Sequence, residues 1–240
     1  MSKNMKGNLI RCIIFSVIFC GCDQTDKYPS SCSQIYDSYS YYLERAKNNS
    51  QIDLLTDKLK NILVVQPNCF YSNLLLSDIN LLVNNYGEAK KYLLKAIEID
   101  SGNVYALFKV GTIYSMEKKY DSAIQYFRYA AEEKTQDNFF IDYNKGLTEV
   151  TEKPHFDVEY SEIIFNNALA SYYANYLLDA RNELDYCIKN GKRLKESYFF
   201  RGLTYFKIRY NEKGCSDMNS AKEHGNIDAD EYLKKHCQNK

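Results

Sequence analysis

Residues 70–133 read FYSNLLLSDINLLVNNYGEAKKYLLKAIEIDSGNVYALFKVGTIYSMEKKYDSAIQYFRYAAEE, and this stretch decides the fold. It writes the same helical hairpin twice. Ala89, Leu93 and Ala96 return as Ala123, Phe127 and Ala130, each 34 positions on, and Tyr86 returns as Tyr120. Self-similarity at a fixed period of this length marks stacked repeats. In the second copy Leu107, Val110, Gly111 and Tyr114 fall at i, i+3, i+4 and i+7, one face of a helix. Ala123, Phe127 and Ala130 fall at i, i+4 and i+7 on the helix that follows. The polar link from Met116 to Tyr120 is short, so the two helices fold back antiparallel. Gly111, Ala123 and Ala130 are small enough to let the backbones approach, and Tyr114 and Phe127 fill the remaining space.

One hairpin cannot bury its own apolar face, so it needs neighbours. They are present. Gly202 and Tyr205 repeat Gly111 and Tyr114 at a distance of 91 positions, and Ala168 precedes Gly202 by 34. Ala180, Leu184 and Cys187 fill the small-large-small places of one more second helix, and Gly214, Met218 and Ala221 fill those of the next.

This order of residues resembles the tetratricopeptide repeat (TPR) family. The family's consensus sets a bulky residue, then Leu-Gly, then Tyr on the first helix, and Ala, an aromatic and Ala on the second. Leu107, Val110-Gly111, Tyr114, Ala123, Phe127 and Ala130 match it in order. The first copy departs in its first helix, where Leu76-Ser77 and Asn80 stand. The chain has no tryptophan, and Tyr198 takes the bulky place in the last copy. The resemblance implies an all-α fold, a right-handed α-α superhelix of about four to five hairpins closed by a C-terminal capping helix. On this reading residues 33–67 are a degenerate first repeat and 68–134 are two clear repeats. Residues 135–158 are irregular, 159–226 are two further repeats, and 227–240 form the cap. Residues 33–48 are expected as one helix, and 139–150 as a lone helix within the irregular segment.

Composition adds bounds. There are 31 basic and 31 acidic residues, and 23 tyrosines with 12 phenylalanines, ample for a continuous core. All three prolines fall between the expected helices. No basic face is concentrated enough to argue for nucleic acid.

The N-terminal 21 residues read as an export segment. Lys3, Lys6 and Arg11 precede an apolar run from Ile13 to Phe19 that is too short to span a bilayer. The run ends at Phe19-Cys20-Gly21-Cys22, which resembles a bacterial lipobox. The resemblance implies cleavage before Cys22 and lipidation of its thiol, with residues 22–32 as a tether. Phe19 departs from the aliphatic residue usual there. The alternative is ordinary secretory cleavage nearby, with Cys22 a plain thiol. The C-terminal sequence from Gly214-Cys215 to Tyr232-Leu233 and Cys237 is similar to the ends of secreted or lipidated repeat proteins of the Bacteroidetes. Together these features imply an exported, membrane-anchored lipoprotein of the cell envelope, on the periplasmic side or in the outer membrane.

Of eight cysteines, five remain after the export segment and Cys22 are set aside: Cys32, Cys69, Cys187, Cys215 and Cys237. Disulfides persist in exported proteins. Cys215 and Cys237 bracket the cap and the helix beside it, and Cys32 and Cys69 open successive first helices, so both pairings are open. Cys187 occupies a small core place, as an inert thiol. Cys215, His224, His236 and Cys237 match no standard zinc spacing, and no metal is expected.

No phosphate loop, nucleophile motif or paired-histidine helix is present. The many Asp and Glu residues read as solvated helix faces. The expectation is therefore no enzyme and no cofactor. The TPR resemblance places a binding groove on the first helices. Its positions are Tyr105, Phe108, Thr112 and Ser115 in one copy, Phe165, Leu169 and Tyr172 in the next, and Phe199, Leu203 and Phe206 in the last. The alternative is that these side chains pack against neighbouring hairpins. Lys109 stands near the place of a carboxylate-clamping residue, without a full clamp around it. The partner implied is a protein or peptide, the alternative an extracellular glycan stacking on exposed tyrosines.

Overall fold

The computed structural model describes residues 28–47, 49–137 and 156–237. Cys22, the export segment and the lone helix expected at 139–150 lie outside the described residues. Twelve helices and no strands are found among them. They are α1 Cys32–Asp37, α2 Tyr39–Ala46, α3 Asn49–Val65, α4 Phe70–Leu82, α5 Tyr86–Ile99, α6 Val104–Met116, α7 Tyr120–Asp137, α8 Tyr160–Tyr173, α9 Leu177–Lys189, α10 Leu194–Lys207, α11 Asn211–Glu223 and α12 Ala229–His236. Among the described residues no helix is long and apolar enough to cross a membrane. The chain divides after Leu75 into two compact units.

In the first unit Ile35, Tyr39, Tyr42, Leu55 and Leu59 are buried, and α2 packs on α3. The expected single helix over 33–48 is corrected. It breaks at Ser38, whose backbone leaves the helical region at φ −127° and ψ 24°. Serine competes for backbone hydrogen bonds and favours such interruptions. Cys32 and Cys69 are joined by a disulfide with their Cα atoms 5.6 Å apart, which ties the start of α1 to the start of α4. The Cys32 amide also donates to Gln66 Oε1 at 3.4 Å.

The second unit is an array of antiparallel hairpins. α6 pairs with α7, α8 with α9 and α10 with α11. Each pair packs on the next through α7–α8, α9–α10 and α11–α12. First helices also meet directly, α6 on α8 and α8 on α10.

The period is written in the backbone as well as in the side chains. The turn inside each hairpin passes through one left-handed residue: Asn84 (φ 58°), Lys118 (60°), Asn175 (68°) and Arg209 (68°). The next amide closes the preceding helix by bonding five residues back: Asn85 to Asn80 O, Lys119 to Tyr114 O, Tyr176 to Ser171 O and Tyr210 to Tyr205 O, at 2.8–2.9 Å. This is the Schellman closure that satisfies a helix's last carbonyls. The turns after α9 and α11 use glycine instead. Gly191 (φ 66°) and Gly225 (φ 86°) sit 34 apart and need no Cβ to adopt that conformation.

The small places are small because a ring fills the space beside them. A Cβ on Gly111 would lie 2.7 Å from the Phe127 ring, and one on Gly214 would lie 2.5 Å from the Phe206 ring. The reading of acidic residues as solvated helix faces fails at three positions. Asp78 and Asp217 are each 5% exposed, and Glu183 has an oxygen sealed from solvent. All three lie between helices, where the register rather than the residue type sets the depth.

Candidate functional site on the first helices

α6, α8 and α10 carry the ten residues expected to line a groove, and they differ in what covers them. On α6 the Tyr105 hydroxyl donates to Asp78 Oδ2 at 2.8 Å. Burial, then the Asp78 carboxylate, hold the Tyr105 phenol well above its usual range. Its ring meets Phe156 edge-on at 5.5 Å. Phe108 leans on Phe127 at 5.7 Å, and Thr112 donates to the Phe108 carbonyl at 3.0 Å. Lys109 Nζ lies 3.8 Å from Asp78 Oδ1 and 4.9 Å from the Tyr105 ring centre. Its charge is therefore already engaged within the array, and it does not stand as a free carboxylate clamp.

On α8, Phe165 is buried beneath the Arg193 guanidinium at 4.6 Å, and Arg193 Nη1 reaches both Glu162 oxygens at 2.8 and 2.9 Å. Leu169 packs on the cluster of Phe165, Ala168, Leu184 and Cys187. Tyr172 is half-buried, with Phe200 edge-on at 5.6 Å and Lys207 Nζ only 3.9 Å from its ring centre. That ammonium-on-ring contact is within cation–π range.

On α10 the three expected groove residues meet α12. Phe199 meets Tyr232 edge-on at 5.4 Å, and Phe206 stacks on His236 at 4.9 Å. Leu203 joins the cluster of Met218, Ala221 and Ala229. α12 is more than a polar lid. Tyr232 follows Tyr198 by 34 positions and Leu233 follows Phe199 by 34, so α12 keeps the register of a first helix. That offset was the signal available in the sequence. Cys215 and Cys237 are joined, with Cα atoms 5.8 Å apart, and pin the end of α12 to α11. Of the expected groove residues only Phe165 is buried; the others are half-exposed, and those on α6 and α8, namely Tyr105, Phe108, Thr112, Ser115, Leu169 and Tyr172, lie outside the contact with α12.

Arg201 was not foreseen. Its Nε and Nη2 each donate to Asp217 at 2.7 Å, and its Nη1 donates to Asp185 at 2.6 Å. It joins α10 to α11 and α9. The only hint was a charge at the register place that Val110 fills 91 residues earlier. Cys187 is fully buried, and burial, then Glu183, push its thiol up to about 11, so it stays protonated. Among the described residues no group of three metal-ligating His, Cys, Asp or Glu side chains comes together.

Hairpins in register, left-handed turn residues and small-against-ring packing define a helical-repeat interaction fold. Residues 70–103 match the family model of the tetratricopeptide repeat. Among solved structures it is similar to a crystal structure of MamA, with 16% identity, a TM-score of 0.61, and coverage of 80% of this chain and 96% of that one. YrrB, described as a TPR protein with an unusual peptide-binding site, is 15% identical with a TM-score of 0.62, covering 81% and 90%. PilF of Pseudomonas aeruginosa is 14% identical with a TM-score of 0.57, covering 85% and 94%. At these identities the likeness is one of fold. No curated protein matches the chain.

Proposed function

We propose that this chain is a non-catalytic scaffold or adaptor that holds a protein or peptide partner on the first-helix face of α6 and α8, as an exported lipoprotein of a bacterial cell envelope. The carrying observation is that face itself. α6 and α8 lie side by side, and Tyr105, Thr112, Ser115, Leu169 and Tyr172 are half-exposed on them. Aromatic side chains with polar tips dominate interface energetics because they combine apolar area with a hydrogen-bonding group. A peptide-binding site in the fold relative YrrB supports the same use of the array. α10 is assigned a lesser share, since α12 already meets its Phe199 and Phe206.

The anchor rests on Gly21-Cys22 and the basic-then-apolar segment before it. Several acyl chains at one terminus hold a protein on a membrane, at about 0.8 kcal/mol per buried methylene. A second reading has the chain capturing an extracellular glycan. Tyr173, 52% exposed and stacked on Tyr120 at 5.4 Å, supplies the kind of flat surface a sugar ring covers.

The test is affinity capture from detergent-solubilised membranes with wild-type chain and with Thr112→Arg plus Tyr172→Ala. Recovery of a protein by the first and not by the second, with both melting alike, supports the adaptor. Recovery of polysaccharide alone moves the assignment to the second reading. For the anchor, Cys22→Ser is expected to leave the detergent phase for the aqueous one. A Cys22→Ser chain still in the detergent phase overturns lipidation.

A further inference from the structure

Successive hairpins fill the same register places in different ways. In α6–α7 the places are Tyr114 and Tyr126, whose rings stack at 5.5 Å. In α8–α9 they are Ser171 and Glu183, each 57 residues on, and in α10–α11 they are Tyr205 and Asp217, a further 34 on. One turn earlier on the first helix stand Val110, Asn167 and Arg201. The last hairpin balances its buried carboxylate with the Arg201 guanidinium. The middle hairpin does not. Glu183 receives one amide hydrogen, from Asn167 Nδ2 to Oε1 at 2.5 Å.

Three buried oxygens at this place have no hydrogen-bond partner: Glu183 Oε2, Ser171 Oγ and Asn167 Oδ1. Ser171 is fully buried and Asn167 is 3% exposed. An unpaired buried acceptor costs about 1–3 kcal/mol, and more when it is charged. The Ser171 hydroxyl holds one hydrogen for two acceptors, ionised Glu183 Oε2 and Asn167 Oδ1, and a proton on Glu183 Oε2 turns one of those acceptors into a second donor.

We propose that the α8–α9 hairpin is a proton-operated joint, closed when Glu183 packs as a neutral acid donating from Oε2 to Ser171 or Asn167, and loosened when Glu183 ionises. The charged and titratable groups facing Glu183 are Arg128 on α7, Asp179 and Cys187 on α9, and Tyr160 on α8. Arg128 Nη2 is already paired with Asp179 Oδ2 at 3.0 Å, so its charge is shared. Burial pushes the Glu183 carboxyl up to about 7, with Arg128 opposing, Asp179 reinforcing, and the Ser171 hydroxyl and Asn167 amide opposing more weakly.

The sign follows. Between its ordinary 4.5 and about 7, the folded state binds a proton that the unfolded state does not. The stability so gained is complete below 4.5, falls as pH rises through that window, and is gone above about 7. A salt-bridged carboxylate behaves in the opposite way. Because α8 also carries Leu169 and Tyr172, the joint bears on the first-helix face, although it stands whether or not that face binds a partner.

The test is ¹³C-carboxyl NMR titration of the whole chain with labelled glutamate, with hydrogen exchange of α8 and α9 from pH 5 to 8. Glu183, assigned as the signal missing from Glu183→Gln, is expected to titrate near 7. The opening equilibrium of α8 and α9, corrected for base-catalysed exchange, is expected to rise by at least about tenfold across the range. In Glu183→Gln that rise disappears, and the melting temperature at pH 8 is at or above wild type. In Asn167→Arg, which copies Arg201, the Glu183 signal moves below 4.5. A Glu183 signal titrating at its ordinary value overturns the proposal, whether or not Asn167→Arg folds, and a whole-chain spectrum in which no glutamate titrates above its ordinary range overturns it even if Glu183→Gln does not fold. A Glu183→Gln chain that keeps the full pH dependence does so as well.

Discussion

Arg201 on α10 sets Nε and Nη2 each 2.7 Å from the two carboxylate oxygens of Asp217 on α11, in a two-point grip with both side chains largely covered. Removing one partner of such a pair leaves a buried charge alone, a loss of about 3–5 kcal/mol. Arg201→Ala is expected to lose about that much in urea denaturation. Arg201→Met with Asp217→Leu is expected to recover most of it, because the pair's net contribution is small once both desolvation costs are removed.

Gly111 has no room for a side chain. A Cβ there would lie 2.7 Å from Phe127, a ring that also touches Phe108. Gly111→Ala is expected to destabilise by about 1–3 kcal/mol despite alanine's better helix propensity. Gly87→Ala is the control. A Cβ there meets nothing within 4 Å, so its midpoint in the same denaturation should be equal or higher.

The Cys215–Cys237 bridge closes a loop of 22 residues around an eight-residue helix. A helix that short does not hold itself in water. Cys215→Ser with Cys237→Ser is expected to lose about 2–4 kcal/mol. By hydrogen exchange the loss should appear first in α12, and then at Phe199 and Phe206 on α10. Uniform loss of protection across the second unit would contradict a role confined to its end.

Tyr105 gives Asp78 its hydroxyl hydrogen bond at 2.8 Å, and Asp78 is 5% exposed. Tyr105→Phe keeps the ring and its contact with Phe156 and removes only that bond. The expected loss is about 1–3 kcal/mol in thermal or chemical denaturation, because a bond to a charged acceptor is among the stronger kind.

How far the molecule was legible depends on what each residue's neighbour leaves it free to be. Ala123, Phe127 and Ala130 announce the repeat because two backbones and one ring share that space, and few other sizes fit. The turns are legible at Gly191 and Gly225, where glycine relieves a left-handed backbone. Lys118 and Arg209 adopt the same geometry, but nothing in their side chains declares it. The first-helix positions could be numbered, yet the cover over Phe199 depends on whether another helix follows, and that lay in the offset from Tyr198 to Tyr232. Buried charge was hidden most deeply. Glu183 and Asp217 look like any surface acid until they are set beside Tyr126, the residue that fills the same place in another hairpin. Ser38 breaks its helix within a run of tyrosines whose periodicity continues undisturbed on both sides.

α12 carries Lys235 and His236 where α10 carries Arg201 and Gly202. A Cβ on Gly202 would already meet the Gly214 carbonyl oxygen at 3.2 Å, so no further helix can lie against His236 as closely as α11 lies against Gly202. Lengthening this protein by duplicating a module after residue 237 would first require a small side chain at 236. A module spliced in at Gly191, between α9 and α10, would leave Gly202 and its close contact with α11 unchanged.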